Sequence, residues 1–281
     1  MDYRKGNSMK TKRNFTVTLL ISTYNKPDYL RQTLLSVARQ TVLPDEIVIA
    51  DDGSTEETKQ LIDEMRSVVP VPIQHVWHPD TGFRLSEIRN KAIAAAKGDY
   101  IIQTDGDIVL GRHFVADHAA IAEHGWLVCG SRVYLGPKTT ERILKRGFSC
   151  HRGLFGSQRG SFANSFRIGW LGRYLSKRYD REAAHIRGCN MAFWRRDLIA
   201  ANGYNEDIVG YGAEDGEVVH RMRNGGVKNK MLKFGGIVYH LWHPILSRDR
   251  LADNRRIHAR TKSEGITRCG NGIDKYLNDS Q

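Results

Sequence analysis

No run in the 281 residues approaches the roughly 20 consecutive apolar positions that cross a bilayer. The opening stretch, residues 1–14, is polar and basic, without the apolar centre of a secretory signal, so the expected location is the cytoplasm. Cysteine is sparse: Cys129, Cys150, Cys189 and Cys269 stand far apart with no Cys-x-x-Cys pair. That spacing argues against a disulfide framework or a zinc ribbon and for reduced thiols. There is no fixed-period repeat and no low-complexity tract. A Gly-x-x-x-x-Gly-Lys phosphate loop is missing. Gly210 and Gly212 begin something like a dinucleotide fingerprint, but Asp215 occupies its third glycine position and no strong strand precedes it. Acidic residues are outnumbered, 31 against 43 Lys and Arg, for a net charge of +12. Such a balance implies an anionic partner: nucleic acid, a phosphorylated small molecule or an acidic membrane surface.

What is present is a chain with 40% hydrophobic residues, enough for one large α/β domain or two joined halves. Short β-branched runs at 15–22, 47–50, 73–77, 100–104 and 126–131 read as strands, and the segments 29–40, 55–68, 84–97 and 113–124 carry apolar residues at helical spacing. Ser54 or Thr55 is placed to cap the second helix. This alternation predicts an α/β fold with a mostly parallel sheet covered on both faces. After a Gly-, Arg- and aromatic-rich interruption, order returns with an apolar run at 189–194, helices at 195–201 and 214–223, and a strand-like stretch over 230–240. The tail from 247 to 281 is polar and weakly patterned.

Ligands of such sheets gather beyond the carboxyl ends of the strands, and three polar clusters fall there: Thr23-Tyr24-Asn25, Asp51-Asp52 and Asp105-Gly106-Asp107. The last is either a solvated turn or a carboxylate pair for a hard cation such as Mg²⁺ or Mn²⁺. Two acidic turns side by side repel unless a cation or donor groups neutralise them. His240 and His243 follow a strand-like run and offer imidazole ligands or plain structural histidines. Gly210-Tyr211-Gly212-Ala213-Glu214-Asp215 sets two carboxylates at a helix start. They serve either the helix dipole or the capture of a proton from a sugar hydroxyl, with Tyr211 stacking on the ring.

Taken together, Ser22-Thr23-Tyr24-Asn25, Asp51-Asp52-Gly53-Ser54, Arg89-Asn90-x-Ala92 and Asp105-Gly106-Asp107 resemble the nucleotide-binding half of glycosyltransferase family 2. Gly188-Cys189-Asn190-Met191-Ala192-Phe193, Gly203-Tyr204-Asn205-Glu206, the 210–215 segment and Tyr239-His240 resemble the C-terminal module of galactosyltransferases and are similar to bacterial chondroitin-polymerase-type and polysaccharide-synthesis transferases. The resemblance implies the GT-A fold and a metal-dependent, inverting transfer from a UDP-sugar to a saccharide, giving a β-linkage. It assigns Thr23, Tyr24, Asn25, Asp51, Asp52, Arg89, Asn90 and Asp105 to nucleotide-sugar binding. Asp107 and His240, with Asp105, go to Mn²⁺ or Mg²⁺, and His243 has a lesser claim. Asp215 falls to the general base and Glu214, with Tyr211, to the acceptor. Tyr211 stands where the galactosyltransferase pattern has Trp, and Ala213 where its Gly-Gly-Glu-Asp form has glycine.

The domain reading is a flexible basic N-terminus (1–14), a nucleotide-sugar half (15–135), a basic aromatic insert (138–181), an acceptor-binding and catalytic half (186–246) and a tail (247–281). From Lys138 to Arg181 eleven basic residues face two acids, Glu141 and Asp180, a local net charge of +9. Phe148, Phe155, Phe162, Phe166, Trp170 and Tyr174 interleave with Arg173, Lys177 and Arg178. Either these aromatics complete the core, or they dock on anionic lipid at the inner membrane face, where a lipid-linked acceptor would be found. Two other functions compete: a nucleotidyltransferase-like nucleotide-sugar enzyme and a basic nucleic-acid-binding protein. The acidic clusters argue against the latter, and no nucleic acid partner is expected.

Overall fold

The computed structural model describes residues 13–149, 161–176, 178, 186–244 and 247–277. Cys150, Phe155, Lys177 and residues 1–12 of the basic N-terminus lie outside these. The strands are β1 (Val17–Thr23), β2 (Glu46–Asp51), β3 (Ile73–Trp77), β4 (Tyr100–Asp105), β5 (Ile108–Leu110), β6 (Trp126–Gly130), β7 (Val133–Tyr134), β8 (Met191–Trp194), β9 (Lys228–Leu232) and β10 (Val238–His240). The helices are α1 (Pro27–Val37), α2 (Glu56–Met65), α3 (Leu85–Ala95), α4 (Phe114–Ile121), α5 (Pro137–Arg146), α6 (Gly169–Leu175), α7 (Arg195–Ala200), α8 (Glu214–Asn224), α9 (Leu251–Ser263) and α10 (Asp274–Leu277).

Seven strands form the main sheet in the order β3-β2-β1-β4-β8-β6-β9. All pairs are parallel except those of β8, which runs antiparallel between β4 and β6. All seven residues of β1 are buried, the condition of a strand covered on both faces. Successive side chains alternate between those faces. Val17, Leu19 and Ile21 pack with Leu30 and Leu34 of α1 and Leu61 and Ile62 of α2. Leu20 joins Ile88 and Ala92 of α3 and Val218 and Val219 of α8. Each such aliphatic side chain contributes about 1.5–3 kcal/mol relative to exposure. Cys129, Cys189 and Cys269 are buried and unbridged.

A second sheet, in the order β5-β10-β7, packs Val109, Val133, Tyr239 and Leu241 against Ile143 of α5. The expected single strand over 230–240 is thus two strands in two sheets. Phe234 and Gly236 adopt positive φ (54° and 53°), which breaks extended backbone between them. The 138–181 region holds α5, opened by Pro137 at the first helical turn, and α6. The tail forms α9, thirteen residues long, which packs along α8.

Candidate functional site

The register of the main sheet gathers the polar clusters. Thr23 lies beside Asp51 and Ser22 beside Asp105, at the point where the chain leaves β1 for β2 on one side and returns with β4 on the other. Gly106 closes the turn after β4. Its amide donates to Ser22 O (2.7 Å), and a Cβ there would meet Thr23 Oγ1 at 3.0 Å. Asp51 is fully buried, accepting from Ser54 N (2.9 Å) and pairing with His75 Nε2 (2.8 Å). Asp52 pairs with His78 Nε2 (2.8 Å) and accepts from Arg84 N (2.9 Å). Burial pushes the Asp52 carboxyl up, and the His78 and Arg84 bonds oppose that rise. Asp51 and Asp52 thus each have their own hydrogen-bond partners. Tyr24 is exposed, its hydroxyl donating to Asp80 Oδ2 (2.7 Å). Asn25 holds a left-handed φ of 46° and accepts from Thr55 N (2.9 Å); Thr55 is the N-cap residue of α2, without a side-chain cap bond.

Asp107 stands between β4 and β5, and the antiparallel pairing of β5 with β10 places His240 opposite Ile108. His240 Nε2 lies 3.8 Å from Asp107 Oδ1 and His243 Nε2 3.1 Å from Asp107 Oδ2. One donor atom from each of the three residues lies within 4.8 Å of the others. Burial acts to raise the Asp107 carboxyl, but the His243 bond and the His240 and Lys26 charges outweigh it and hold it down at about 2. Burial lowers His240 towards neutral imidazole, while the Asp107 bond raises His243. Asp107 Oδ1 is buried without a hydrogen-bond partner. A divalent cation fits this set: a charged carboxylate with an unused buried oxygen, and two imidazoles. Among the described residues Asp105 is not part of this cluster; it is held by Arg89 instead.

Arg89, 1% exposed, is the hub beside it. Its guanidinium reaches Asp105 Oδ1 (3.2 Å), Asp215 Oδ1 (3.0 Å) and Glu214 Oε1 (3.8 Å), and its Nε donates to Ser22 Oγ (3.1 Å). Burial alone would lower its pKa; the three carboxylates and Tyr204 reverse that and keep it charged. Asp105 rises to about 6, through burial first, and Glu214 to about 7, through burial and then the Asp215 charge. Asp215, in the first turn of α8, also accepts from Tyr204 OH (3.3 Å). Gly188 makes its room, since a Cβ there would fall 2.1 Å from Asp215 Oδ2. Tyr211 is exposed on the loop before α8.

Asn90 sits apart from the open site. Fully buried, it donates to Tyr204 O (2.8 Å) and Glu206 Oε1 (2.8 Å) and accepts from Tyr204 N (2.7 Å), tying the first half of the chain to the second. Sequence reasoning missed His75, His78, Lys26, Tyr204 and Gly188. It also missed Arg132, whose guanidinium lies over the Tyr134 ring (4.5 Å), itself 5.8 Å from the His240 ring. The available signals were Gly188, opening the Gly-Cys-Asn-Met-Ala-Phe segment, and Tyr204, within Gly-Tyr-Asn-Glu; the others become partners only through folding.

Two family descriptions match: glycosyl transferase family 2 over residues 18–202, and the N-terminal domain of galactosyltransferase over residues 172–244. Among curated relatives, the chain is 24% identical over 243 residues to a chondroitin synthase of Escherichia coli, covering 80% of this chain and 34% of that protein. It is 26% identical over 231 residues to a validoxylamine A glucosyltransferase of Streptomyces hygroscopicus subsp. limoneus, covering 75% and 48%. The chain thus spans a third to a half of these relatives. Among solved structures it is similar to Staphylococcus aureus TarS (TM-score 0.61, 16% identity, 89% of this chain and 41% of that one). It is also similar to a mannosyltransferase of Pyrobaculum calidifontis in complex with GDP-Man and Mn²⁺ (TM-score 0.59, 19% identity, 95% and 69%). The structural likeness shows the fold to be GT-A. With the first family match covering most of the chain, and the motif residues it spans lying at the carboxyl ends of β1, β2 and β4, the protein belongs to glycosyltransferase family 2.

Proposed function

We propose that this chain transfers a hexose or N-acetylhexosamine from a UDP-sugar to a hydroxyl of a saccharide acceptor, with inversion and a β-linked product. The observation that carries the reading is the meeting of two poles across Arg89. On one side stand Asp105 and the Asp107–His240–His243 cluster; on the other stands Asp215 at the start of α8. Thr23, Tyr24, Asn25, Asp51 and Asp52 frame the nucleotide, and Asn90 supports that frame from beneath. Tyr211 and Glu214 meet the acceptor.

The acceptor oxygen attacks the anomeric carbon as the bond to the diphosphate oxygen breaks. Its proton passes to Asp215, and UDP departs with the bonding pair. When bound at Asp107, His240 and His243, Mn²⁺ or Mg²⁺ would supply Lewis-acid charge neutralisation for a diphosphate leaving group. Arg89 holds Asp215 in place and remains charged. The acceptor is a surface polysaccharide or lipid-linked oligosaccharide, met at the cytoplasmic face where UDP-sugars are supplied. Relatives support this reading: TarS has been solved with UDP-GlcNAc, the mannosyltransferase with Mn²⁺, and the chondroitin synthase is by its name a polysaccharide synthase.

The test is a panel of nucleotide-sugars with Mn²⁺, read by thermal shift. At a hundredfold excess over Kd, binding adds about 2.7 kcal/mol. Stabilisation by one UDP-sugar, abolished by EDTA and by Asp107→Ala, is the expected result. Asp215→Asn should keep that stabilisation and lose transfer about 10²- to 10⁴-fold. Binding of single-stranded nucleic acid with no nucleotide-sugar bound would overturn the reading.

A further inference from the structure

The basic, aromatic segment after α5 takes no part in the chemistry above, and apart from Phe148, which packs on the core of the second sheet, its described aromatic side chains do not complete the core. Trp170 is 68% exposed and Tyr174 56%, one helical turn apart on α6, and just before them in the chain Phe166 is 47%, Phe162 44% and Ile168 38% exposed. Exposed apolar groups gathered over one segment mark a contact surface.

This surface is held firmly from behind. Arg167 makes three hydrogen bonds to the Asp117 carboxylate (2.7–3.1 Å). Ile168 N donates to Phe234 O (2.9 Å) and Met231 N to Ser176 O (3.2 Å). Gly172 lies so close to the end of β9 that a Cβ would stand 2.5 Å from Lys233 O. The inner side of α6 is therefore fixed, and Trp170 and Tyr174 point away from it. Exposed Arg173 and Arg178 flank them, Arg178 stacking on the Tyr174 ring (4.2 Å). From residue 142 to 179 the chain carries no acid.

We infer that this face docks on an anionic lipid bilayer, Trp170 and Tyr174 entering the headgroup boundary while Arg173 and Arg178 meet lipid phosphates. Trp and Tyr suit that boundary because each joins an apolar ring to a polar group, and Arg supplies the complementary charge. The platform also adjoins the candidate site: Asn164 Nδ2 donates to Arg132 O (3.0 Å) and Tyr134 N to Ser161 Oγ (3.1 Å), and Tyr134 borders His240. Docking there brings a membrane-borne acceptor to the site's edge. The docking itself stands independently of the transferase reading.

The full chain is sedimented with vesicles of phosphatidylcholine alone and of phosphatidylcholine with phosphatidylglycerol. Expected is binding to the anionic vesicles, weakened by salt, and reduced about tenfold or more by Arg173→Glu with Arg178→Glu and by Trp170→Ala with Tyr174→Ala. Both variants should keep the circular dichroism and the UDP-sugar thermal shift of the parent, so loss of docking is distinguishable from failure of the transferase reading. Equal sedimentation of parent and variants overturns the inference. So does lipid-free dimerisation, seen by light scattering and abolished by Trp170→Ala with Tyr174→Ala, which would make this face a contact between two copies.

Discussion

At the residue scale the site is a problem of crowded charge. Three carboxylates, Asp105, Glu214 and Asp215, surround one buried guanidinium, and burial first, then neighbouring carboxylate charge, raises the proton affinity of Asp105 and Glu214. Glu214 has its folded value at about 7, against 4.5 for the free side chain. The folded protein therefore holds this proton more tightly than the unfolded chain does. The resulting stability is full below the unfolded value and is lost as pH rises through the folded one. Glu214→Gln removes that loss, so near pH 8 the variant should gain about 1–3 kcal/mol on the parent, the gap closing towards pH 4.5, as urea titrations at the two pH values would show. Asp105 shifts in the same direction and stays in both proteins, so the difference reports on Glu214. Gly188 offers a second test. Gly188→Ala drives a methyl group to 2.1 Å from the Asp215 carboxylate; if Asp215 is the base as proposed, turnover should fall about 100-fold through its misplacement, with donor affinity unchanged by titration calorimetry.

At the element scale, the approach to α8 carries strain where Asp215, the proposed base, is delivered. Ala213 adopts φ 78° immediately before the helix, a left-handed conformation that disfavours any side chain. The galactosyltransferase pattern has glycine at this place, and the backbone geometry explains why. Ala213→Gly should raise stability by about 0.5–1 kcal/mol in urea denaturation, with the helix unchanged. The same loop is braced from outside by α9: Asn254 donates to Val209 O (3.0 Å), and Thr261 donates to Glu217 Oε1 (3.0 Å) on α8. A tail without visible apolar periodicity thus becomes the longest helix described, because its contacts with α8 are made largely by polar side chains that a hydrophobic pattern does not register.

At the scale of the whole molecule, the two halves are joined by the main sheet and by a few buried polar ties. Asn90 is the clearest, with three hydrogen bonds to residues 204 and 206. Asn90→Ala removes the side-chain partner of the buried Tyr204 amide and carbonyl and one donor to the Glu206 carboxylate. It should cost about 2–4 kcal/mol in urea denaturation and lower transfer by loosening Tyr204, which holds Asp215. The alternation of β-branched runs with helical spacing determined the α/β class and the strands of the first half, because a doubly covered parallel sheet writes itself as short, wholly apolar segments. Clusters of Asp, Asn and Gly closing those segments marked Thr23, Asp51, Asp105 and Asp107 as residues at the carboxyl edge of the sheet. Tertiary structure alone decided which charges meet. It set His75 and His78 against the two aspartates after β2, and His243 against Asp107 while Asp105 turned to Arg89. It also left Trp170 and Tyr174 outside the core, since Gly172 takes the inner face of α6. Sequence periodicity reports which residues are buried along one element; the pairing of charges depends on strand register and on approaches between segments more than a hundred residues apart, which no local pattern encodes.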